Sequence, residues 1–394
     1  MYILFFRYIK ILFLVCFITQ HSCIEPYYPE NQLNFNSKLV VDGLLTDESE
    51  NQVIKLSYTS KIDTITINPL SGSFVEVFDR NGYNFVFNES SEEPGTYKGI
   101  IPLTHFYQNN SFQLHFILPG GEEYESSIET YKPSNPGINI HCSRISKESN
   151  DPELVYDGLQ FYLDYRAGEN ENRYYRIKIE ETWEYHSAFP ITIYYSGGYH
   201  KVKPDSSLYF CYQSNILDDL FLLSTNGFEK NEYLNFKLHY VNNTTPRLKN
   251  RYSILVKQYS LSDEMYIFWQ NIAKNNQQNG GLFSTQPAFI KGNITYINHP
   301  EEQVLGYFGI SSVIEKRIFI EPPENLKFIE NNICIPSVPY TEGGWPGNTT
   351  PNEWPIYFIY FYDIISESSV LGVAPPECFD CTLLGGSVTK PAFW

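Results

Sequence analysis

The sequence predicts a folded, mainly β protein, and its composition is the first support for that prediction. Aromatic residues make up 16% of the chain and charged residues only 19%, which is the opposite of the composition of disordered chains. The 32 Tyr and 28 Phe favour strands, and the 24 Gly and 24 Pro favour the turns between them. With 394 residues, the chain is long enough for about two or three domains.

The N-terminal segment is typical of an exported protein. Arg7 and Lys10 precede an apolar run over residues 11–18, and this pattern predicts a secretory signal peptide rather than a membrane-spanning helix. The small residue Ser22 and then Cys23 follow, as in bacterial lipoproteins, in which such a cysteine carries the acyl chains, palmitate among them. The alternative is an ordinary cleavage site, with Cys23 as one more disulfide cysteine.

We predict that residues 1–22 form a lipoprotein signal peptide, that Cys23 is lipidated, and that residues 23–37 form a polar tether. The mature chain is then exported and held at the outer membrane by its acyl chains. Two or more chains are needed for stable anchoring.

Residues 38–133 are predicted to form an immunoglobulin-like β-sandwich. About seven short runs of strand-forming residues are separated by turn signals, which is the spacing of such a sandwich. The runs cover residues 39–45, 52–58, 74–78, 83–87, 96–100, 112–116 and 123–128. Pro- and Gly-rich residues 131–137 mark the end of this domain.

Residues 138–394 are predicted to form a larger antiparallel β domain, either a sandwich or a barrel. Its clearest strand spans residues 173–185, with an apolar face and a polar face in alternation. Glu181 breaks this pattern by falling on the apolar face. It is either a functional carboxylate at the edge of a pocket or a residue that a bulge turns outward, and we favour the second interpretation.

One amphipathic helix is predicted over residues 262–278. Ser262 is the expected N-cap, acidic residues follow it, and apolar residues recur from Met265 to Ala273 at helical spacing. Further strands are predicted over residues 286–294, 304–309, 316–320 and 356–362. The Pro- and Gly-rich stretch 336–355 between them is predicted to be a long loop, and such loops are usually functional or flexible. Its aromatic residues are candidate partner or ligand contacts: Tyr340, Trp345 and Trp354.

The cysteines are expected to form disulfides, because export implies an oxidising compartment. Beyond Cys16 and Cys23, the chain holds Cys142, Cys211, Cys334, Cys378 and Cys381. The number is odd, and spacing alone does not select the pairs. The motif formed by Cys378 and Cys381 has no nearby His or second Cys pair that would indicate zinc or redox chemistry. We therefore predict structural disulfides, with Cys211, Cys334, Cys378 and Cys381 as candidates.

The sequence offers no recognisable catalytic or cofactor motif. Serine-hydrolase, zinc-protease, nucleotide-binding and haem motifs are missing, and the eight His are scattered. Carboxylate pairs such as Glu180 with Glu184, or Asp218 with Asp219, could be an acid and a base, but a solvated face explains them better. The net charge of −17 argues against binding to nucleic acid, which requires basic patches. We expect neither a metal nor a cofactor.

The combination of motifs resembles the Bacteroidota lipoproteins of domain-of-unknown-function family 4249. The motifs that carry the resemblance are at residues 23–26, 39–46, 174–184, 286–294, 304–308, 378–386 and 390–394. The resemblance implies an outer-membrane lipoprotein associated with a TonB-dependent transporter, without an established activity. This chain has Thr382 and Leu384 where the family usually has Arg.

We therefore expect a non-enzymatic accessory or binding subunit of a TonB-dependent transporter. The alternatives are a glycan-active hydrolase with an unrecognised carboxylate pair and a surface adhesin.

The anchor prediction is testable by substitution of the lipidated residue. We expect Cys23→Ala to move the protein from the carbonate-washed membrane fraction to the soluble periplasm, because no later segment of the sequence is apolar enough to span the bilayer. Immunoblots of the two fractions measure the shift, and Cys142→Ala is the control that keeps Cys23. Full membrane retention of Cys23→Ala would disprove lipidation at this residue.

Overall fold

The computed structural model describes residues 37–60, 66–148, 155–278, 290–329, 334–338, 356–363 and 367–394. Strands dominate these residues, which confirms the predicted mainly β class. Cys23, the signal peptide and nearly all of the tether lie outside the described residues, as do Tyr340, Trp345 and Trp354. Within the described part of the chain, no helix is both long and apolar enough to cross a membrane.

The N-terminal strands form one 11-stranded sheet that curls around a single core. Buried side chains of β1, β4 and β7 all contribute to this core, among them Val41, Val77 and Leu114. All of the strands predicted within residues 38–133 are present. The N-terminal members are β1 (Leu39–Thr46), β2 (Asn51–Tyr58), β3 (Asn68–Pro69), β4 (Phe74–Asp79), β5 (Asn84–Glu89), β6 (Thr96–Ile100), β7 (Ser111–Ile117), β8 (Glu123–Ser126) and β9 (Glu129–Thr130).

The second region contains three further sheets. A 3-stranded sheet has β10 (Gly137–Glu148), β11 (Val155–Arg166) and β17 (Glu232–Asn242). A 5-stranded sheet has β12 (Tyr174–His186), β15 (Phe210–Ile216), β16 (Phe221–Ser224), β18 (Tyr252–Ser260) and β21 (Val313–Ile320). A 4-stranded sheet has β13 (Ile191–Tyr195), β14 (Tyr199–Asp205), β22 (Ile356–Asp363) and β23 (Ser368–Val373). The first two of these sheets share one hydrophobic core.

Two strands from late in the chain return to the N-terminal sheet. They are β19 (Ile294–Tyr296), which pairs antiparallel with β8, and β20 (Leu305–Ser311), which pairs parallel with β1. The predicted division of the chain into two domains near residue 138 is therefore incomplete, because the strands within residues 294–311 belong to the first sheet. Pairing across such a long sequence separation leaves no mark on the local pattern from which strands are predicted.

The return strands approach β1 unusually closely. Gly306 has a φ of +91°, and a Cβ at this position would lie 1.8 Å from the carbonyl oxygen of Val41. A Cβ on Gly292 would lie 1.7 Å from the carbonyl oxygen of Gly306. Both glycines belong to the motifs that carry the family resemblance, and the packing explains why a side chain does not fit at either position.

The helix α1 (Asp263–Gln278) begins one residue later than predicted. The backbone N–H of Met265 donates to Ser262 Oγ at 3.2 Å, so Ser262 caps the helix as expected. Met265 and Phe268 are buried, and Trp269 lies under the guanidinium of Arg176 at 3.7 Å from the ring centroid.

Other predictions were wrong or incomplete. The strand predicted over residues 286–294 is absent from residues 290–293, and strand structure begins only at Ile294. The largely exposed strands β10, β14 and β15 were not predicted, because their polar residues leave no clear alternation.

The two disulfides tie the C-terminal segment to the second region. Cys211 is bonded to Cys381 and Cys334 to Cys378, so the neighbouring cysteines 378 and 381 bond to different partners. Cys142 has a free thiol. The chain end packs on the 5-stranded sheet, where the Trp394 ring contacts Tyr212 at 5.5 Å and Phe319 at 5.7 Å between centroids.

The close approach at Gly306 leads to a stability prediction. We expect Gly306→Ala to lower the free energy of unfolding by about 3 kcal/mol or more, because strain at positive φ adds to a backbone clash. Gly82→Ala is the control, since Gly82 also has positive φ, +82°, but no atom lies within 4 Å of its Cβ position; about 1 kcal/mol is expected there. Urea denaturation measures both, and equal losses would contradict the close packing of β20 on β1.

Candidate functional site

The candidate functional site is a groove of about 960 Å³ in the second region. It lies at the end of β12, beside β15 and the turn at residues 243–249, and the Cys334–Cys378 disulfide forms part of its wall. Its lining residues include aromatic, amide, hydroxyl and charged side chains: Trp183, Tyr185, His186, Phe189, Gln213, Ser214, Asn215, Asn243, Thr244, Thr245, Arg247, Lys249, Phe328, Glu377 and Leu384.

Glu181 lies beneath this groove and is fully buried, with 0% of its surface exposed. The register of β12 runs without interruption through Glu181, which pairs with Asn215 on β15 and with Ile254 on β18. The expectation that a bulge turns this residue outward is therefore wrong. The carboxylate stays on the core face, as the alternative interpretation of Glu181 as a functional carboxylate requires.

Four side chains surround the buried carboxylate. Arg247 Nη1 lies 2.9 Å from Glu181 Oε1. The Tyr252 hydroxyl donates to Oε2 at 2.8 Å, and Asn215 Nδ2 donates to Oε1 at 3.1 Å. His239 Nε2 lies 3.6 Å from Oε2. A buried charge costs several kcal/mol unless it is paired and hydrogen-bonded, and these four groups meet that requirement.

The surroundings keep Glu181 ionised. Burial alone would raise the pKa of this carboxyl, but the interactions with His239, Asn215, Arg247 and Tyr252 outweigh burial and lower the pKa below its usual value. Burial and the neighbouring charge of Glu181 raise the pKa of Tyr252. Glu181 is thus a fixed negative charge and Tyr252 a neutral hydrogen-bond donor at neutral pH.

Arg247 connects this buried carboxylate to the groove. Its side chain is 27% exposed, and its guanidinium lies 5.3 Å from the centre of the Trp183 ring. Nη1 is held by Glu181, whereas Nε and Nη2 have no hydrogen-bond partner among the described residues. The buried carboxylate therefore holds Nη1, and the partly exposed side chain lines the groove.

The turn that carries Arg247 is held in place by Asn243. Asn243 Nδ2 donates to the Lys327 carbonyl at 2.8 Å, and the backbone N–H of Asp157 donates to Asn243 Oδ1 at 3.2 Å. The Thr245 hydroxyl, two residues before Arg247, is buried without a hydrogen-bond partner. A buried and unpaired hydroxyl is unusual and needs an explanation.

Other titratable residues of the groove include His186 and Glu377. His186 Nε2 lies 2.9 Å from Glu184 Oε1, and Glu377 precedes the disulfide cysteine Cys378. Of the predicted disulfide residues, Cys334 therefore lines the groove, whereas Cys211 and Cys381 lie in the neighbouring core.

The Glu180–Glu184 pair noted in the sequence is too widely spaced for the acid and base of a glycosidase. Glu180 lies 3.5 Å from Arg317 Nη2 and Glu184 is bonded to His186, and their positions on β12 are about 13 Å apart at roughly 3.3 Å per residue. Glycosidase pairs are about 5–9.5 Å apart. Among the described residues, no three His, Cys, Asp or Glu side chains cluster as a metal site.

Sequence reasoning identified Glu181 but none of its partners. The only signal was the acidic residue on an apolar face. Arg247, Asn215 and His239 lie on a turn and on strands whose polar sequences did not reveal that they converge here.

The Glu181–Arg247 pair leads to a prediction about stability and pH. We expect Arg247→Ala to lower the free energy of unfolding by about 2–3 kcal/mol at pH 7, because it leaves a buried carboxylate without its cation. In the native protein the lowered pKa of Glu181 stabilises the fold above the unfolded pKa of about 4.3, and this contribution is lost as the pH falls. In the variant, burial raises the pKa of Glu181 and protonation relieves the unpaired charge, so the difference from the native protein should shrink near pH 4.

Urea denaturation at the two pH values measures this difference. Arg166→Ala, which removes an exposed ion pair with Glu232, is the control and should cost only about 0–1 kcal/mol. Adding Glu181→Gln to Arg247→Ala should restore part of the stability. A loss that stays the same at both pH values would show that Glu181 is not an ionised partner of Arg247.

Two of the solved structures that match this chain are only distantly similar to it. A DUF4785 family protein from Legionella pneumophila is 10% identical, covers 51% of this chain and 56% of its own, and has a TM-score of 0.19. A variant of Salmonella alpha-2-macroglobulin is 7% identical, covers 89% of this chain and 18% of its own, and has a TM-score of 0.18. This chain thus spans about half of the first protein and less than a fifth of the second.

The comparison with curated proteins found no match. The comparison with protein families gave a match over residues 24–317 to the domain of unknown function DUF4249. This range includes Glu181, Arg247 and the return strands that complete the N-terminal sheet, and it covers most of the chain. The protein therefore belongs to the DUF4249 family.

Proposed function

We propose that this protein is a lipid-anchored, non-enzymatic binding or accessory subunit of an outer-membrane TonB-dependent transporter, and that its ligand binds in the groove. The observation that carries the proposal is the guanidinium of Arg247, which a fully buried carboxylate holds in the groove. A charge fixed in this way before binding lowers the cost of ordering on complex formation.

The state of Glu181 favours binding over hydrolysis. A general acid in glycoside hydrolysis needs a raised pKa, whereas the pKa of Glu181 is lowered and all four neighbouring groups stabilise its ionised form. Its position beneath Arg247 suits orientation of that side chain rather than proton transfer to a substrate.

The anchor and the transporter partner are supported by the sequence. The apolar run followed by Cys23 is typical of lipoproteins, and the resemblance to the family implies the transporter. We keep Tyr340, Trp345 and Trp354 as candidate contacts with this partner, because aromatic side chains in long loops often supply the binding energy of interfaces.

The partner prediction is tested by co-purification of the tagged full-length chain from detergent-solubilised membranes. We expect a TonB-dependent transporter to co-purify in comparable amount. Trp345→Ala and Trp354→Ala should each weaken the complex by about thirtyfold, which corresponds to about 2 kcal/mol for an anchor residue, with little change in the thermal midpoint.

Tyr83→Ala is the matched control, because Tyr83 is an aromatic residue of the N-terminal sheet that is 59% exposed; the complex should persist. Recovery of the chain without any transporter would contradict the proposed partner. Loss of thermal stability in both Trp variants without selective loss of the transporter would show that these residues belong to the core.

A further inference from the structure

We infer that the groove binds a carboxylate-bearing saccharide, whose carboxylate is held by the free edge of the Arg247 guanidinium. The inference rests on the proposed binding function and specifies the class of ligand.

The geometry of Arg247 favours binding of a carboxylate. Its Nη1 contacts Oε1 of Glu181 at 2.9 Å and Oε2 at 3.2 Å, so the planar group cannot rotate freely. Nε and Nη2 form the opposite edge, and neither has a hydrogen-bond partner in the described parts of the chain. Two parallel N–H donors on a fixed plane match the two oxygens of a carboxylate.

The second argument is the polarity of the groove near this edge. Gln213, Ser214, Asn215, Thr244 and Thr245 are the polar amide and hydroxyl residues among those that line the groove. Asn215 is bonded to Glu181, Ser214 to Thr182 and Thr244 to Asn242, and the Thr245 hydroxyl is buried and unpaired. A ligand rich in hydroxyl groups supplies donors and acceptors for the exposed part of this lining.

The aromatic side chains complete the match to a sugar. Phe189 and Phe328 line the groove and are half-buried, so their rings offer apolar surface that suits the C–H face of a sugar ring. The volume of about 960 Å³ lies in the range of about 300–1,000 Å³ for small-molecule sites. This volume accommodates two or three sugar rings.

The charges of the groove orient the ligand. Arg247 and Lys249 lie on the turn at residues 243–249, and the acidic Glu377 is another of the lining residues. Because opposite charges attract, the acidic end of the ligand should lie at the turn and away from Glu377. A peptide would place many apolar side chains against this amide and hydroxyl lining, which favours the saccharide.

The test is isothermal titration calorimetry of the full-length chain with trigalacturonate and with the neutral galactose trisaccharide of the same linkage. We expect trigalacturonate to bind at least tenfold more tightly. Arg247→Lys keeps the positive charge beside Glu181 but loses the two-donor edge, and we expect it to weaken trigalacturonate at least tenfold without changing the affinity for the neutral sugar. Thr245→Val should raise the thermal midpoint, because it removes a buried hydroxyl without a partner, and should leave the preference for trigalacturonate unchanged.

Arg166→Lys is the matched control, because Arg166 is exposed and pairs with Glu232 outside the groove; affinity should not change. Equal affinity for the acidic and neutral sugars, or an unaffected Arg247→Lys variant, would overturn the carboxylate site. Binding of a sulfated trisaccharide or of a peptide with a free C-terminal carboxylate, but not of trigalacturonate, would overturn the ligand class. These outcomes are separate from those of the co-purification experiment, which alone tests the transporter partner.

Discussion

A buried negative charge links two of the three sheets of the second region. Glu181 is ionised inside a core that would otherwise exclude it, and its donors come from four separate elements: Asn215 on β15, His239 on β17, the turn with Arg247, and Tyr252 on β18. β17 belongs to the 3-stranded sheet and β12, β15 and β18 to the 5-stranded sheet. The packing of these two sheets and the position of the groove are therefore linked, because a shift of either sheet would leave the carboxylate without a partner.

A second buried carboxylate joins the N-terminal sheet to the rest of the chain in a different electrostatic setting. Glu129 on β9 accepts from Tyr307 at 2.8 Å, from Asn293 at 3.1 Å and from the helix cap Ser262 at 3.2 Å. Burial raises the pKa of Glu129 despite these hydrogen bonds. None of these hydrogen-bond partners is a cation, whereas Arg247 helps to lower the pKa of Glu181. Glu129 thus joins elements through neutral donors alone, whereas Glu181 stays ionised beside a cation.

The sequence allowed prediction of features that depend on local pattern. Alternation revealed β1 and β12, the apolar stripe and Ser262 revealed α1, and Glu181 was recognisable as an exception on an apolar face. What could not be predicted depends on long-range convergence: the return of β20 to β1, the separate partners of Cys378 and Cys381, and the approach of Arg247 to Glu181. The polar strand β14 could not be predicted for a related reason. All of its residues are exposed, so no buried face imposes an alternation of apolar and polar residues with a period of two.

Some residues of the C-terminal motif stabilise the fold, whereas another lines the groove. Cys378 and Cys381 are buried in disulfides, and the hydroxyl of Tyr185 donates to the carbonyl of Cys381, so these parts of the motif hold the chain end against the sheet. Thr382 and Leu384 are the positions at which the family resemblance implies Arg. The backbone N–H and hydroxyl of Thr382 donate to Asp380, which caps this short turn, whereas Leu384 is 49% exposed and lines the groove. An Arg at this position would add a cation to the rim of the groove beyond the turn that carries Arg247. The side chain at residue 384 therefore contributes to the charge at the rim of the groove.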